Sequence, residues 1–254
     1  ADERKAAISE YLYKVDGEAG ERICQHVVDA IKLQDENNLL CRDQQLLQMQ
    51  SLIYWQSAED SYLAPSNYYE AKEVLLKNVL DSLPIQKISI DIGCGDGRYT
   101  RMISERSAAV IAYDVSPNLI AKAKENLEKS GLNNIEYFIG EIEQIPKENK
   151  FGLVSCLGVT SCILDDSKFI ETINFMWTIC EPNGYLMMID SLSLKKDRLA
   201  EGEQGYVAKY RGDDWYVSQI LNVGFVLERE EVIKEDVARN LTNRLFLFRK
   251  CKND

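Results

Sequence analysis

The run Ile88-Ser-Ile-Asp91-Ile-Gly93-Cys-Gly95-Asp-Gly97-Arg-Tyr-Thr100 constrains this chain more than any other feature. An apolar strand enters a turn with glycine at every second position, and a helical pattern follows. Glycines let such a turn tighten and let backbone approach a ligand closely. The N–H groups that open the next helix are free to face the same ligand. A dinucleotide-binding turn would carry G-x-G-x-x-G. Here the spacing is G-x-G-x-G, and Arg98 stands where the third dinucleotide glycine belongs. Asp91 precedes the turn, where an acid faces a pyrophosphate poorly but suits a ligand bearing an ammonium group.

Around this turn, short apolar runs alternate with amphipathic stretches. Strands are predicted at 87–92, 108–114, 134–139, 151–157 and 183–191, with helices at 97–106, 117–130 and 166–180. A run of βα units folds as a parallel sheet with helices on both faces. A helix at 215–222 precedes two further strands, 224–233 and 241–251, which predict a terminal antiparallel hairpin. Upstream, 66–82 reads as a helix with Ala71, Val74, Leu75, Val79 and Leu80 on one side, ended by Pro84. Residues 3 to about 52 carry helical periodicity broken at Gly17 and Gly20, and glutamines fill the polar face of 44–54. The expected division is a helical cap, 1–53, and a ligand-binding domain, 54–254.

The second strand ends at Asp114, seventeen residues after Gly97. An acid there is placed to hold both hydroxyls of a ribose. Its alternative role, capping the helix from Pro117, is already filled by Ser116.

These features together resemble the class I S-adenosylmethionine-dependent methyltransferases, over about Tyr54 to Arg249. Asp91-Ile-Gly-Cys-Gly-Asp-Gly97 is similar to the family's first motif, and Asp114 to its ribose-binding acid. Gly140-Glu141-Ile142-Glu143 resembles the third motif, beside the adenine, and Phe151–Leu157 the fourth strand. In that strand the family's frequent acid after the aromatic residue is replaced by Gly152. Glu181-Pro-Asn-Gly184 and Asn222-Val-Gly224-Phe225 resemble the turns into strands five and six. Tyr54-Trp55 with Tyr62 is similar to the segment that covers the methionine end of the cofactor. The resemblance implies a doubly wound seven-stranded α/β sheet, order 3-2-1-4-5-7-6 with strand 7 antiparallel. It implies S-adenosyl-L-methionine as cofactor and S-adenosyl-L-homocysteine as product. The cofactor set it implies is Trp55, Asp91, Gly93, Cys94, Gly95, Asp114, Val115, Glu141, Ile142 and Leu157.

The acceptor is expected beyond the carboxyl ends of the strands. Candidates for binding it are Tyr62, Thr160, Ser161, Tyr210 and Arg211. Asp190 is a candidate base or amine anchor, set against a polar residue closing the fifth strand. His26, the single histidine, is a second candidate base, set against a boundary position on a helix. Methyl transfer is a direct displacement, so orientation contributes most and a base matters chiefly for a hydroxyl.

Composition narrows the acceptor. Net charge is −11, which opposes a phosphate backbone. The fourth strand lacks the Asp/Asn-Pro-Pro-aromatic signature of amino-group methylation on nucleic-acid adenine. Cys162 follows Ser161 rather than the Pro or Thr of a cytosine C5 nucleophile. The expectation is an enzyme methylating N or O of a small molecule, with no nucleic acid and no membrane partner, as monomer or homodimer. The alternative is a methyltransferase for a basic peptide or an amino terminus, which the acidic balance also suits. Seven cysteines without a C-x-x-C pair, and one histidine, supply a metal poorly, so no metal is expected. Reduced thiols in apolar runs, a charged start to the chain and no apolar run near membrane length predict a cytoplasmic protein.

Overall fold

The computed structural model describes residues 36–202 and 205–251, with side chains from residue 45 onward. The helices expected before residue 36, and His26 with them, lie outside the described residues. Two compact units divide at Leu46/Leu47. The first contributes only the opening turns of helix α1, Glu36–Ser57, to the described residues. That helix runs unbroken through the 53/54 boundary expected from sequence, and its segment from Leu47 belongs to the second unit.

The second unit, residues 47–254, is built on a seven-stranded sheet. Its elements in chain order are α2 (Ser66–Ser82), β1 (Ser89–Ile92), α3 (Arg98–Ser104), β2 (Val110–Asp114), α4 (Pro117–Ser130), β3 (Ile135–Ile139), β4 (Phe151–Leu157), α5 (Asp166–Ile179) and β5 (Cys180–Ser193). Then come β6 (Arg198–Glu201), β7 (Val207–Tyr210), α6 (Asp213–Val223), β8 (Phe225–Asp236) and β9 (Leu241–Lys250). The sheet order is β3-β2-β1-β4-β5-β9-β8. β1 to β5 pair in parallel, and β9 runs antiparallel to both β5 and β8. This is the order expected from sequence, once β6 and β7 are set aside. Those two form a separate antiparallel hairpin, Arg198 opposite Tyr210, that the sequence reading missed.

Local chemistry explains the boundaries. Ser116 accepts a hydrogen bond from Leu119 N at 3.2 Å and Pro117 opens α4, while Gly131, at φ 72°, closes it. Asp165 caps α5 by accepting from Lys168 N at 2.9 Å. β1 and β4, at the centre, are buried along their whole length, as strands covered on both faces must be.

Alternate residues of the strands feed two cores. Val154, Cys156, Leu186 and Met188 pack against Phe169, Ile173 and Met176 of α5 and Tyr216 and Ile220 of α6. Leu153, Leu157, Met187 and Ile189 pack on the other face against Leu76, Val79 and Leu80 of α2, Ile103 of α3 and Ile120 of α4. Each such side chain contributes roughly 1.5–3 kcal/mol when fully buried. The two cores fix the sheet rigidly, so the loops at its carboxyl edge start from defined positions.

Candidate functional site

The glycine turn between β1 and α3 forms the floor of the site. Gly93 N and Cys94 N both donate to Tyr113 O, at 2.8 and 3.0 Å, which hooks the turn over the end of β2. Gly93, Gly95 and Gly97 have φ of 72°, 55° and 77°. A side chain is strained in that region. Space also excludes one at two positions. A Cβ on Gly93 would overlap the Val159 side chain, and one on Gly97 would overlap the Tyr137 hydroxyl.

Asp114 closes the turn from the next strand. Its carboxylate accepts from Gly95 N at 2.8 Å and from Ser116 N at 2.9 Å. It lines the cavity above the turn, and burial raises its pKa against those backbone donors. Asp91 lies deeper. Thr100 Oγ1 donates to it at 2.6 Å and Ser155 Oγ at 2.7 Å. Its carboxylate is buried under the turn and does not form part of the cavity wall, so it braces the turn from beneath.

Above the turn lies a cavity of about 630 Å³. Of the residues singled out from sequence, Trp55, Tyr62, Gly93, Cys94, Gly95, Asp114, Val115, Glu141, Ile142, Leu157, Ser161 and Tyr210 line it. Asp91, Thr160, Asp190 and Arg211 do not. Asp190 is buried, and both its oxygens are taken. It accepts from Thr160 Oγ1 at 2.6 Å, Tyr216 OH at 2.7 Å and Ser161 N at 3.1 Å. It therefore shapes the Thr160–Ser161 turn instead of facing an acceptor.

Arg211 serves the same turn from the other side. Its guanidinium donates to Thr160 O at 3.0 Å, Ile163 O at 2.7 Å and Asp166 Oδ1 at 2.9 Å, and stacks over Phe169 at 4.4 Å. Only 1 % of the residue is exposed, so it cannot reach a substrate directly.

The roof comes from α1 and the segment after it. Gln48 accepts from Leu164 N at 2.6 Å and donates to Cys162 O at 3.2 Å. Ser51, 1 % exposed, lies within reach of Cys162 O and Val207 O, at 3.2 and 3.1 Å, and its one proton serves either. Trp55, Tyr54 and Tyr206 form an edge-on aromatic cluster with centroids 5.2–6.2 Å apart. Tyr62 OH donates to Asp96 at 2.7 Å, and its pKa is pushed up to about 12 by burial and that carboxylate. Tyr68 and Tyr69, although adjacent on α2, both line the cavity.

Sequence reasoning also missed Lys72. It lines the cavity from α2, is 5 % exposed, and has its ammonium 4.3 Å from the Tyr99 ring centroid. Burial lowers its pKa to about 8, opposed by the charges of Asp190 and Asp91. The signal was its place in the 69, 72, 76, 79, 80 series that faces the core.

The donor set suits the cofactor that the sequence resemblance implies. Asp114 presents a carboxylate for ribose hydroxyls. Val115 and Ile142 offer apolar contact beside Glu141. The left-handed glycines leave the turn open to a methionine chain. Two buried polar atoms near the wall, Trp55 Nε1 and Tyr99 OH, have no hydrogen-bond partner among the described residues. Among the described residues no group of three His, Cys, Asp or Glu is arranged to hold a metal. No described helix is long and apolar enough to cross a membrane.

Comparison with known proteins agrees with this geometry. Residues 90–184 match a family described as methyltransferase domain. An uncharacterised RNA methyltransferase of Oceanobacillus iheyensis is 27 % identical over 135 residues, 50 % of this chain and 29 % of its own length. A ubiquinone biosynthesis O-methyltransferase of Coxiella burnetii is 29 % identical over 100 residues, 39 % of this chain and 42 % of its own. The chain thus spans less than half the length of these curated relatives. Among solved structures, the N-methyltransferase NodS of Bradyrhizobium japonicum with S-adenosyl-L-homocysteine superposes with a TM-score of 0.63 at 17 % identity. It covers 81 % of this chain and 99 % of its own. The 1,6-didemethyltoxoflavin-N1-methyltransferase of Burkholderia thailandensis gives 0.63 at 14 % identity, over 87 % and 92 %.

Proposed function

We propose that this class I S-adenosylmethionine-dependent methyltransferase domain moves a methyl group to N or O of a small molecule held in the cavity over the glycine turn. The cavity itself carries the reading. Its volume, about 630 Å³, falls in the range of small-molecule sites. Its roof is pinned by Gln48 and Ser51 to the backbone of residues 162, 164 and 207. A peptide methyltransferase would want an open groove instead. The relatives named above include an RNA methyltransferase, but the net charge of −11 supports a small acceptor over a polyanion. Five described cysteines are free, in keeping with a cytoplasmic setting.

When bound, the cofactor supplies an activated methyl group on sulfur. The chain's own contribution is orientation and exclusion of water. Asp114 would hold the ribose of the adenosyl half, and the glycine turn would take the methionine chain. Asp190 and Arg211, acting through the Thr160–Ser161 turn, set the end of β4 where the acceptor approaches. The roof residues Trp55, Tyr62 and Tyr206 keep bulk water from the reacting atoms. Holding two groups in line in this way contributes roughly 7–11 kcal/mol.

Isothermal titration with S-adenosylmethionine, S-adenosylhomocysteine and NAD tests the reading. Saturable binding of both adenosyl compounds and none of NAD is expected. A folded protein that binds neither adenosyl compound overturns it.

A further inference from the structure

Lys72 is a buried cation whose hydrogen-bonding capacity is almost unused. An ammonium carries three donors. Among the described residues its one hydrogen bond is to Leu157 O, at 3.5 Å, the end of β4. It makes no ion pair within 4 Å among them, although Asp190 and Asp91 both act on it electrostatically. Those two carboxylates already accept from Thr160, Tyr216 and Ser161 N in one case and from Thr100 and Ser155 in the other. Arg98, the other nearby cation, is paired with Glu73. A charge buried with so few partners is costly unless something in the cavity completes them.

The distribution of charge along the cavity wall says what completes them. Every carboxylate on the wall, Asp96, Asp114, Glu141 and Glu143, follows β1, β2 or β3, at the cofactor end. The end beyond β4 and β5 is lined by Tyr68, Tyr210, Ser191, Asn243 and Lys234, with no carboxylate among the described residues. A protonated amine there would meet the Lys72 and Lys234 ammonium groups and no carboxylate on the described wall. An oxyanion would meet the Lys72 ammonium and tyrosine hydroxyls. The Lys72 ammonium lies between the end of β4, 3.5 Å from Leu157 O, and the Tyr99 ring of α3, 4.3 Å from its centroid.

Resting on the methyltransferase reading, we propose that the acceptor is an acidic hydroxyl, a phenol, enol or carboxylic acid, bound as its oxyanion against Lys72. The proton leaves to solvent as the acceptor binds. An oxyanion lone pair forms the O–CH₃ bond while the S–CH₃ bond breaks, and that bond pair passes to sulfur. The products are the methyl ether or ester and S-adenosylhomocysteine. Lys72 thus keeps the nucleophile ionised below the pH at which it would ionise in water, because an opposite charge nearby favours the charged form.

The test titrates the full chain, loaded with S-adenosylhomocysteine, with 4-nitrophenol, whose anion alone is strongly coloured, and with benzylamine as the cationic probe. The loaded wild type is expected to bind nitrophenol, to raise the coloured fraction at a pH below the phenol's own pKa, and to leave benzylamine unbound. K72M is expected to lose about tenfold or more of the nitrophenol affinity together with the colour shift, and K72R to keep both. Its affinity for S-adenosylhomocysteine should be unchanged. A K72M variant that binds S-adenosylhomocysteine weakly but methylthioadenosine normally would assign Lys72 to the cofactor carboxylate and overturn the proposal. So would nitrophenol that binds uncoloured, fails to bind the loaded wild type, or binds K72M equally well, and so would tighter binding of benzylamine. The wild-type colour shift needs no variant, so a K72M that does not fold leaves the test intact. Loss of S-adenosylhomocysteine binding by the wild type would instead refute the methyltransferase reading, and is seen first.

Discussion

Asp114 performs two tasks that one pair of variants can separate. In the folded chain its carboxylate accepts the Gly95 and Ser116 N–H groups at 2.8 and 2.9 Å. Asp114→Ala strands both donors, at roughly 1–3 kcal/mol each, so stability should fall by about 2–6 kcal/mol. It also removes the acceptor for ribose hydroxyls, at about 1.5–3 kcal/mol, or roughly 10- to 150-fold in Kd. Asp114→Asn keeps one acceptor oxygen and should lose less stability.

The pH dependence adds a second signature. Burial raises the Asp114 pKa above its ordinary value. Ribose hydroxyls donate to the ionised form, so cofactor affinity is complete above that raised pKa and falls as pH drops through it. The contribution of Asp114 to stability runs the other way. A carboxyl whose folded pKa is raised penalises folding above that pKa, and the penalty is relieved as pH falls toward the unfolded value. Calorimetric titration with S-adenosylhomocysteine and with adenine, alongside urea unfolding, measures both. The reasoning fails if folded Asp114→Ala binds S-adenosylhomocysteine unchanged, or if adenine, which has no ribose, loses as much affinity.

Gly93→Ala combines a left-handed φ of 72° with overlap on Val159, and should cost about 2–5 kcal/mol by urea unfolding. Adding Val159→Ala should recover the steric part and leave the backbone strain, so complete recovery would show that the strain is absent. Gly95→Val places its Cβ 3.3 Å from Ser61 Oγ at a φ of 55°, and calorimetry should show weakened S-adenosylhomocysteine binding. Arg211→Met removes the guanidinium donors to the carbonyls of Thr160 and Ile163 and to the Asp166 carboxylate, and should destabilise by about 3–5 kcal/mol in denaturant. A variant of unchanged stability but raised acceptor KM would restore Arg211 as a direct substrate contact. Tyr216→Phe removes one of three donors to Asp190 and should cost about 1.5–3 kcal/mol in the same assay, with cofactor affinity unaltered.

The cofactor end was legible because its determinants are local. A left-handed turn needs glycine at the residues that adopt it, and Gly93, Gly95 and Gly97 are those residues. An acid at the end of the second strand follows from strand length alone, and Ser116 caps α4 as its position next to Pro117 predicts. The sheet was legible for a related reason, since apolar runs such as Phe151–Leu157 mark strands covered on both faces. The β6–β7 hairpin was not. Its strands, Arg198–Glu201 and Val207–Tyr210, carry charges at positions that alternation would make apolar, and its pairing is independent of the main sheet.

The acceptor end was obscured by charge that tertiary structure buries. Arg211 and Asp190 looked available because charged residues usually face water, yet each is enclosed by partners from distant elements. The glutamines of α1 looked like a solvated face, yet Gln48 docks on the backbone at 162 and 164. Helix α2 shows the same error at its sharpest. Counting apolar residues put Val74 on the inner face, but Val74 is 61 % exposed, and the buried series runs Tyr69, Lys72, Leu76, Val79 and Leu80. Periodicity places Lys72 correctly once its charge is ignored. A lysine tolerated at a core position is itself evidence, because the desolvation cost has to be offset by a partner and the described residues of the protein supply almost none. The partner is therefore sought in the cavity, at the end where no described residue lines the wall with a carboxylate.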